Sequence, residues 1–101
     1  MPQFAVYKNP GRNQTVLFVV QVQTTGLDRS VGRVIVPLVR RDQQAPQDHP
    51  LTPHFVVQGQ AVYADPLNIA TVVALRLKDV VEILSEADGH RVIRAIDETI
   101  S

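Results

Sequence analysis

Gly32-Arg33-Val34-Ile35-Val36-Pro37-Leu38 constrains the fold of this chain more than any other stretch. It reads as a turn, an apolar strand and a stop. Gly32 permits a positive φ, and Val34, Ile35 and Val36 favour extended backbone. Pro37 brings no N–H to a central ladder, so regular pairing is expected to end there. Residues 33–38 do not alternate between polar and apolar, which predicts a strand covered on both faces.

Other strand signals surround it. Residues 4–7 form a short β-prone segment, and the Pro10-Gly11 pair marks a turn over residues 8–13. Residues 15–25 have the β-branched content of a long strand, with Val20, Val22 and Thr24 on one side and Gln21, Gln23 and Thr25 on the other. Gly26-Leu27-Asp28 supplies the next turn. Residues 40–53 contain Pro46, Pro50 and Pro53 and predict a long surface loop. Residues 55–57 and 60–63 flank Gln58-Gly59, a hairpin signal with glycine at a left-handed position. Asp65-Pro66 punctuates before another β-branched run over residues 68–75.

The period then changes. Leu77, Val80, Val81 and Leu84 recur at three and four residues, leaving 80–84 open between helix and turn. Val92, Ile93, Ile96 and Ile100 predict a helix from about Ser85 to Ile100, with Ser85 as its cap and Asp88 in its first turn. Gly89 weakens that helix by about 1 kcal/mol relative to Ala, or breaks it. Short strands followed by one helix predict a mainly β fold, a small barrel-like sheet with a helix packed at one end. The 101 residues suffice for one domain spanning 1–101.

Ten basic and ten acidic side chains cancel, so the broad positive field of a generic nucleic-acid binder is missing and no direct nucleic-acid partner is expected. The absence of cysteine excludes disulfides and thiolate metal sites, and His49, His54 and His90 lack a ligand spacing. Neither a metal nor a cofactor is expected. No signal peptide is evident and the apolar run 16–20 is too short to span a bilayer, which points to a cytoplasmic protein without membrane association. Residues 19–22 together with Ile93, Ile96 and Ile100 offer more apolar area than one small barrel needs, which predicts a homodimer. None of the common hydrolase, phosphate-loop or zinc-protease motifs occurs.

Three segments together carry a family likeness: Gln3-Phe4-Ala5-Val6-Tyr7, Phe18-Val19-Val20-Gln21-Val22-Gln23, and Gly32-Arg33 leading to Pro37-Leu38. The chain resembles the CcdB family of plasmid and chromosomal toxins, which serve plasmid maintenance among other roles. The resemblance implies an SH3-like small barrel with a C-terminal helix, the fold shared with MazF and Kid toxins, assembled as a homodimer. It also implies a non-catalytic inhibitor that binds the DNA gyrase A subunit and is silenced by a cognate CcdA-like antitoxin. The antitoxin segment would be disordered when free and would fold on binding.

The same resemblance nominates residues. An ungapped match of the last helix puts Ala95 and Ile96 on the family's Ala-Ile pair and Ser101 on the position of its key Trp. This chain contains no tryptophan, and the closing Gly-Ile is missing, so the C-terminus is divergent and shortened. Arg94, Asp97, Ile100 and Ser101 are the gyrase-contact candidates on the helix end, joined by Thr24, Thr25 and Leu27 from a neighbouring loop. Arg12, Arg40 and Arg41 are the candidate antitoxin contacts. Two alternatives stand beside this reading. One is a MazF- or Kid-like endoribonuclease, in which an Arg steadies the phosphorane and His54 or Asp28 moves a proton. The other is a CcdB-like protein that has lost gyrase poisoning.

Overall fold

The structure is a computed structural model that describes residues 3–22 and 32–100. Its longest strand, Gly32–Arg40, organises the rest. In chain order the strands are β1 (Ala5–Lys8), β2 (Val16–Gln21), β3 (Gly32–Arg40), β4 (His54–Val57), β5 (Gln60–Ala64), β6 (Ala70–Val73) and β7 (Val80–Ile83). The helix α1 covers Glu86–Ile100. Neighbouring strands pair antiparallel, in the order β4-β5-β3-β2-β1-β7, with β6 also on β3. The sheet curls into a half-barrel with α1 against it.

β3 runs through Pro37, so the expected stop is corrected. β2 pairs along one edge of β3 from Val39 back to Ile35. The other edge is shared: β6 takes Gly32 to Ile35 and β5 takes Leu38 to Arg40. Pro37 falls in the gap between them. Its carbonyl accepts the Asp65 N–H at 3.0 Å, where β5 leaves the sheet. The N–H and C=O of a strand residue point the same way, so the missing donor also faces this gap and costs the ladder nothing. Gly32 is likewise the first residue of the strand rather than a left-handed turn. Positive φ among described glycines is confined to Gly59. At Gly32 the constraint is proximity, because a Cβ there would lie 2.8 Å from Thr71 Cγ2.

The hairpin signal is borne out. Gln58 and Gly59 have φ of 52° and 75°, the paired left-handed geometry of a two-residue hairpin turn. The turn also closes the curl. β4 and β7 end the strand order, and Gln58 bridges them, its Nε2 donating to the Val81 carbonyl at 2.7 Å. Residues 80–83 are thus a strand despite their helical spacing, because they pair with the edge of β1. The run 68–75 is broken into β6 and two 3-10 turns, Pro66–Asn68 and Ala74–Arg76.

Alternation in the central strands splits the core into two layers. Val6, Phe18, Val20, Val22, Val36 and Leu38 join a cluster with Phe55, Val62, Leu84 and Val92, on the helix side. Ala5, Tyr7, Val19 and Ile35 join Leu77 on the reverse side. Both faces of the central strands are therefore covered, as the run 33–38 predicts. This corrects the expectation that residues 19–22 supply a dimer face. Val20 is wholly buried and Val22 nearly so, within the chain's own core.

The helix begins as the sequence indicates. Ser85 Oγ accepts the Asp88 N–H at 3.1 Å, and Glu86 and Asp88 occupy the first turn. Gly89 does not break it. Gly89 is buried, and a Cβ there would overlap the ring of Phe4. Phe4 itself has a φ of 67°, held by its N–H on the Gln21 carbonyl (2.8 Å) and its carbonyl accepting from Leu84 N–H (3.1 Å). The left-handed residue turns the ring onto the helix, and the missing side chain at Gly89 makes room for it.

Candidate protein-interaction site

The helix end and one basic groove carry the candidate residues. α1 is anchored by Arg91. Its Nη2 pairs with Asp48 at 3.2 Å, and its Nη1 reaches Asp88 at 3.4 Å and the His54 carbonyl at 3.2 Å. The guanidinium also sits 4.8 Å from the centre of the Phe55 ring. Val92 and Ala95 face the core, which turns Arg94, Asp97 and Ile100 outward. These three candidates share the exposed side of the last two helical turns, and Ile100 is 74% exposed. Thr24, Thr25, Leu27 and Ser101 lie outside the described residues.

Beside the helix end, Leu51, Pro66, Leu67 and Thr99 line an apolar recess of about 320 Å³. Leu67 is 79% exposed and adds to the apolar surface there. Sequence reasoning missed it, because Asp65-Pro66 signals only a turn. The 3-10 turn places Leu67 at the helix through contacts between Pro66–Asn68 and α1.

The three antitoxin candidates separate. Arg12 and Arg40 are exposed and line one groove of about 410 Å³ beside the turn between β1 and β2. Arg41 points elsewhere. Its Nη1 bonds His54 Nδ1 at 2.9 Å and its Nη2 donates to the Phe55 carbonyl at 3.3 Å. Arg41 follows the last residue of β3, and these two bonds hold its guanidinium away from the groove that Arg40 lines.

The same bonds bear on His54. Arginine only donates, so Nδ1 accepts and the proton sits on Nε2, which donates to the Pro46 carbonyl at 2.8 Å. Both ring nitrogens are thereby committed to holding the 41–53 loop onto β4. Asp28, the other proton-transfer candidate, lies outside the described residues. Nearby, burial and the Asp65 and Asp42 carboxylates push the Tyr63 phenol above its ordinary value, which keeps it neutral. Among the described residues no group of His, Asp and Glu is arranged to hold a metal, and no helix is long and apolar enough to cross a membrane.

A curled antiparallel sheet of seven strands with one C-terminal helix against it is the architecture of the small toxin fold. It is similar to a mycobacterial endoribonuclease solved in complex with its cognate antitoxin, with a TM-score of 0.80 and 15% identity. The match covers 99% of this chain and 94% of that one, and at this identity it speaks for the fold alone. The family is given by sequence: the CcdB protein profile matches residues 3–101, and the chain belongs to the CcdB family. None of the curated proteins compared with it matches.

Proposed function

We propose that the protein is the toxin of a type II toxin–antitoxin pair, a homodimer that binds the DNA gyrase A subunit and traps gyrase on cleaved DNA. The observation that carries this reading is family membership over residues 3–101, together with the seven-stranded sheet and terminal helix. The gyrase surface is the outward side of α1, where Ile100 is the apolar anchor and Arg94 and Asp97 its polar rim. Leu67 extends the apolar area. In this reading the protein works by binding rather than catalysis: its CcdB family membership supports this, as does the engagement of both ring nitrogens of His54, one of the two proton-transfer candidates, in structural bonds. A cognate CcdA-like antitoxin neutralises it, with Arg12 and Arg40 rather than Arg41 meeting acidic residues.

Purified protein incubated with gyrase, ATP and supercoiled plasmid is expected to accumulate linear DNA once the complexes are denatured and digested with protease. Labelled single-stranded RNA in a parallel reaction is expected to stay intact. Cleaved RNA with untouched plasmid would instead select the ribonuclease reading.

A further inference from the structure

Half of the ten Lys and Arg residues in this chain of zero net charge gather around one turn. Lys8, Arg12, Arg40, Arg76 and Lys78 line adjoining grooves on either side of the segment between β1 and β2. All five are exposed, and no acidic group among the described residues lies within ion-pair distance of any of them. Asp79 lines one groove without pairing to a described cation. Unopposed like charges raise the local potential well above what the neutral total suggests.

The turn between them is built rigidly. Asn9 Nδ2 donates to the Asn13 carbonyl at 2.9 Å, and its Oδ1 accepts the Gly11 N–H at 2.9 Å. Asn13 Oδ1 accepts the Thr15 N–H at 3.0 Å and the Thr15 hydroxyl at 2.7 Å. Arg76 Nη2 donates to the Pro10 carbonyl at 2.9 Å, tying the turn to the segment after β6. The cations are thus presented on a fixed frame, which lowers the ordering cost of binding.

The groove between Arg12 and Arg76 has an apolar floor that includes Val16, Pro37 and Val72. Charged rims over an apolar floor suit an extended polypeptide, whose side chains alternate between floor and rim. They suit single-stranded nucleic acid poorly. Base stacking needs exposed aromatic rings, and Phe18, the aromatic residue of these grooves, is 7% exposed.

We propose that this cleft docks an extended partner segment that alternates acidic and apolar residues, with its carboxylates on Arg12 and Arg76 and its apolar side chains on Val16 and Val72. The assignment of that segment to the neutralising antitoxin rests on the toxin reading above; the cleft's chemistry does not. Lys8, Arg40 and Lys78 extend the positive rim for a longer segment.

The test is fluorescence anisotropy with the full chain at low ionic strength, using a labelled peptide of alternating Glu and Val. The peptide is expected to bind, to weaken as salt rises, and to be unmatched by a Lys-Val peptide of the same length. Arg12→Glu with Arg76→Glu is expected to weaken it about tenfold or more, and Arg12→Glu alone, which keeps the bond from Arg76 to the Pro10 carbonyl, is expected to weaken it at an unchanged melting temperature. Unchanged affinity in either variant, or binding of a labelled single-stranded RNA in preference to the peptide, overturns the proposal. Gyrase trapping is measured separately, so a protein that traps gyrase yet ignores the peptide defeats the cleft and spares the toxin reading.

Discussion

Val20→Asp is expected to leave the chain largely unfolded at room temperature. Val20 is wholly buried, between Val6 and Val36 in the ladders, and belongs to the cluster that receives Val92 from the helix. The substitution removes packed methyl groups and forces a carboxylate into an apolar interior with no cation in the cluster to meet it. Core changes of this kind cost about 4–5 kcal/mol or more, against a total stability of ~5–15 kcal/mol for a domain. Far-ultraviolet circular dichroism is expected to lose its strand and helix signals. A variant that keeps a cooperative transition near the parent's, yet sediments as a smaller species, would place Val20 on an interface between copies and contradict the core described here.

Gly89→Ala sets two effects against each other. Helix propensity favours Ala by roughly 1 kcal/mol at an interior position. The added methyl, however, overlaps the Phe4 ring, which is buried and pinned by backbone bonds on both sides. Overpacking costs about 1–3 kcal/mol, and Phe4 has little freedom to retreat from a φ of 67°. The net result is destabilisation. The melting temperature is expected to fall by several degrees, at about 4–8 °C per kcal/mol for a chain of this size. In a Phe4→Ala background the added methyl has nothing to strike, so there the same substitution is expected to be neutral or mildly stabilising. Additive effects of the two changes would show that the ring and the glycine are not coupled.

These cases mark where local sequence informs and where it stops. The strand runs, the Gln58-Gly59 turn and the Ser85 cap depend on near neighbours and are legible as such. Pro37 misleads because its tolerance depends on how β5 and β6 divide the far edge of β3, which no local pattern encodes. The alternation of Val20 and Val22 is legible, but periodicity does not say whether a face meets the chain's own helix or a second copy. Val80 and Val81 carry helical spacing and still form a strand, because β1 offers an open edge to pair.

The sites follow the same division. Arg94, Asp97 and Ile100 are nominated by the resemblance, and the helix spaces them onto one side, but the apolar period that groups Ile100 with Val92 and Ile96 does not show that Ile100 is exposed. Arg40 and Arg41 are sequence neighbours whose roles diverge only in the fold, where Arg40 ends the strand exposed and Arg41 bonds His54. Arg40 and the Arg76–Lys78 segment are distant in sequence from Lys8 and Arg12 and join them only through the fold.

Titration of the gyrase A subunit with this protein and with its Ile100→Asp variant tests the central claim most directly. Ile100 is 74% exposed at the end of α1, so a charge there leaves the core intact and strikes only the surface assigned to gyrase. Saturable binding is expected for the parent, and truncating or reversing an apolar anchor costs about 2 kcal/mol or more, a loss of roughly thirtyfold. The variant should keep its circular dichroism spectrum and melting temperature. Absence of binding by the parent, or equal binding by the variant, would contradict the account.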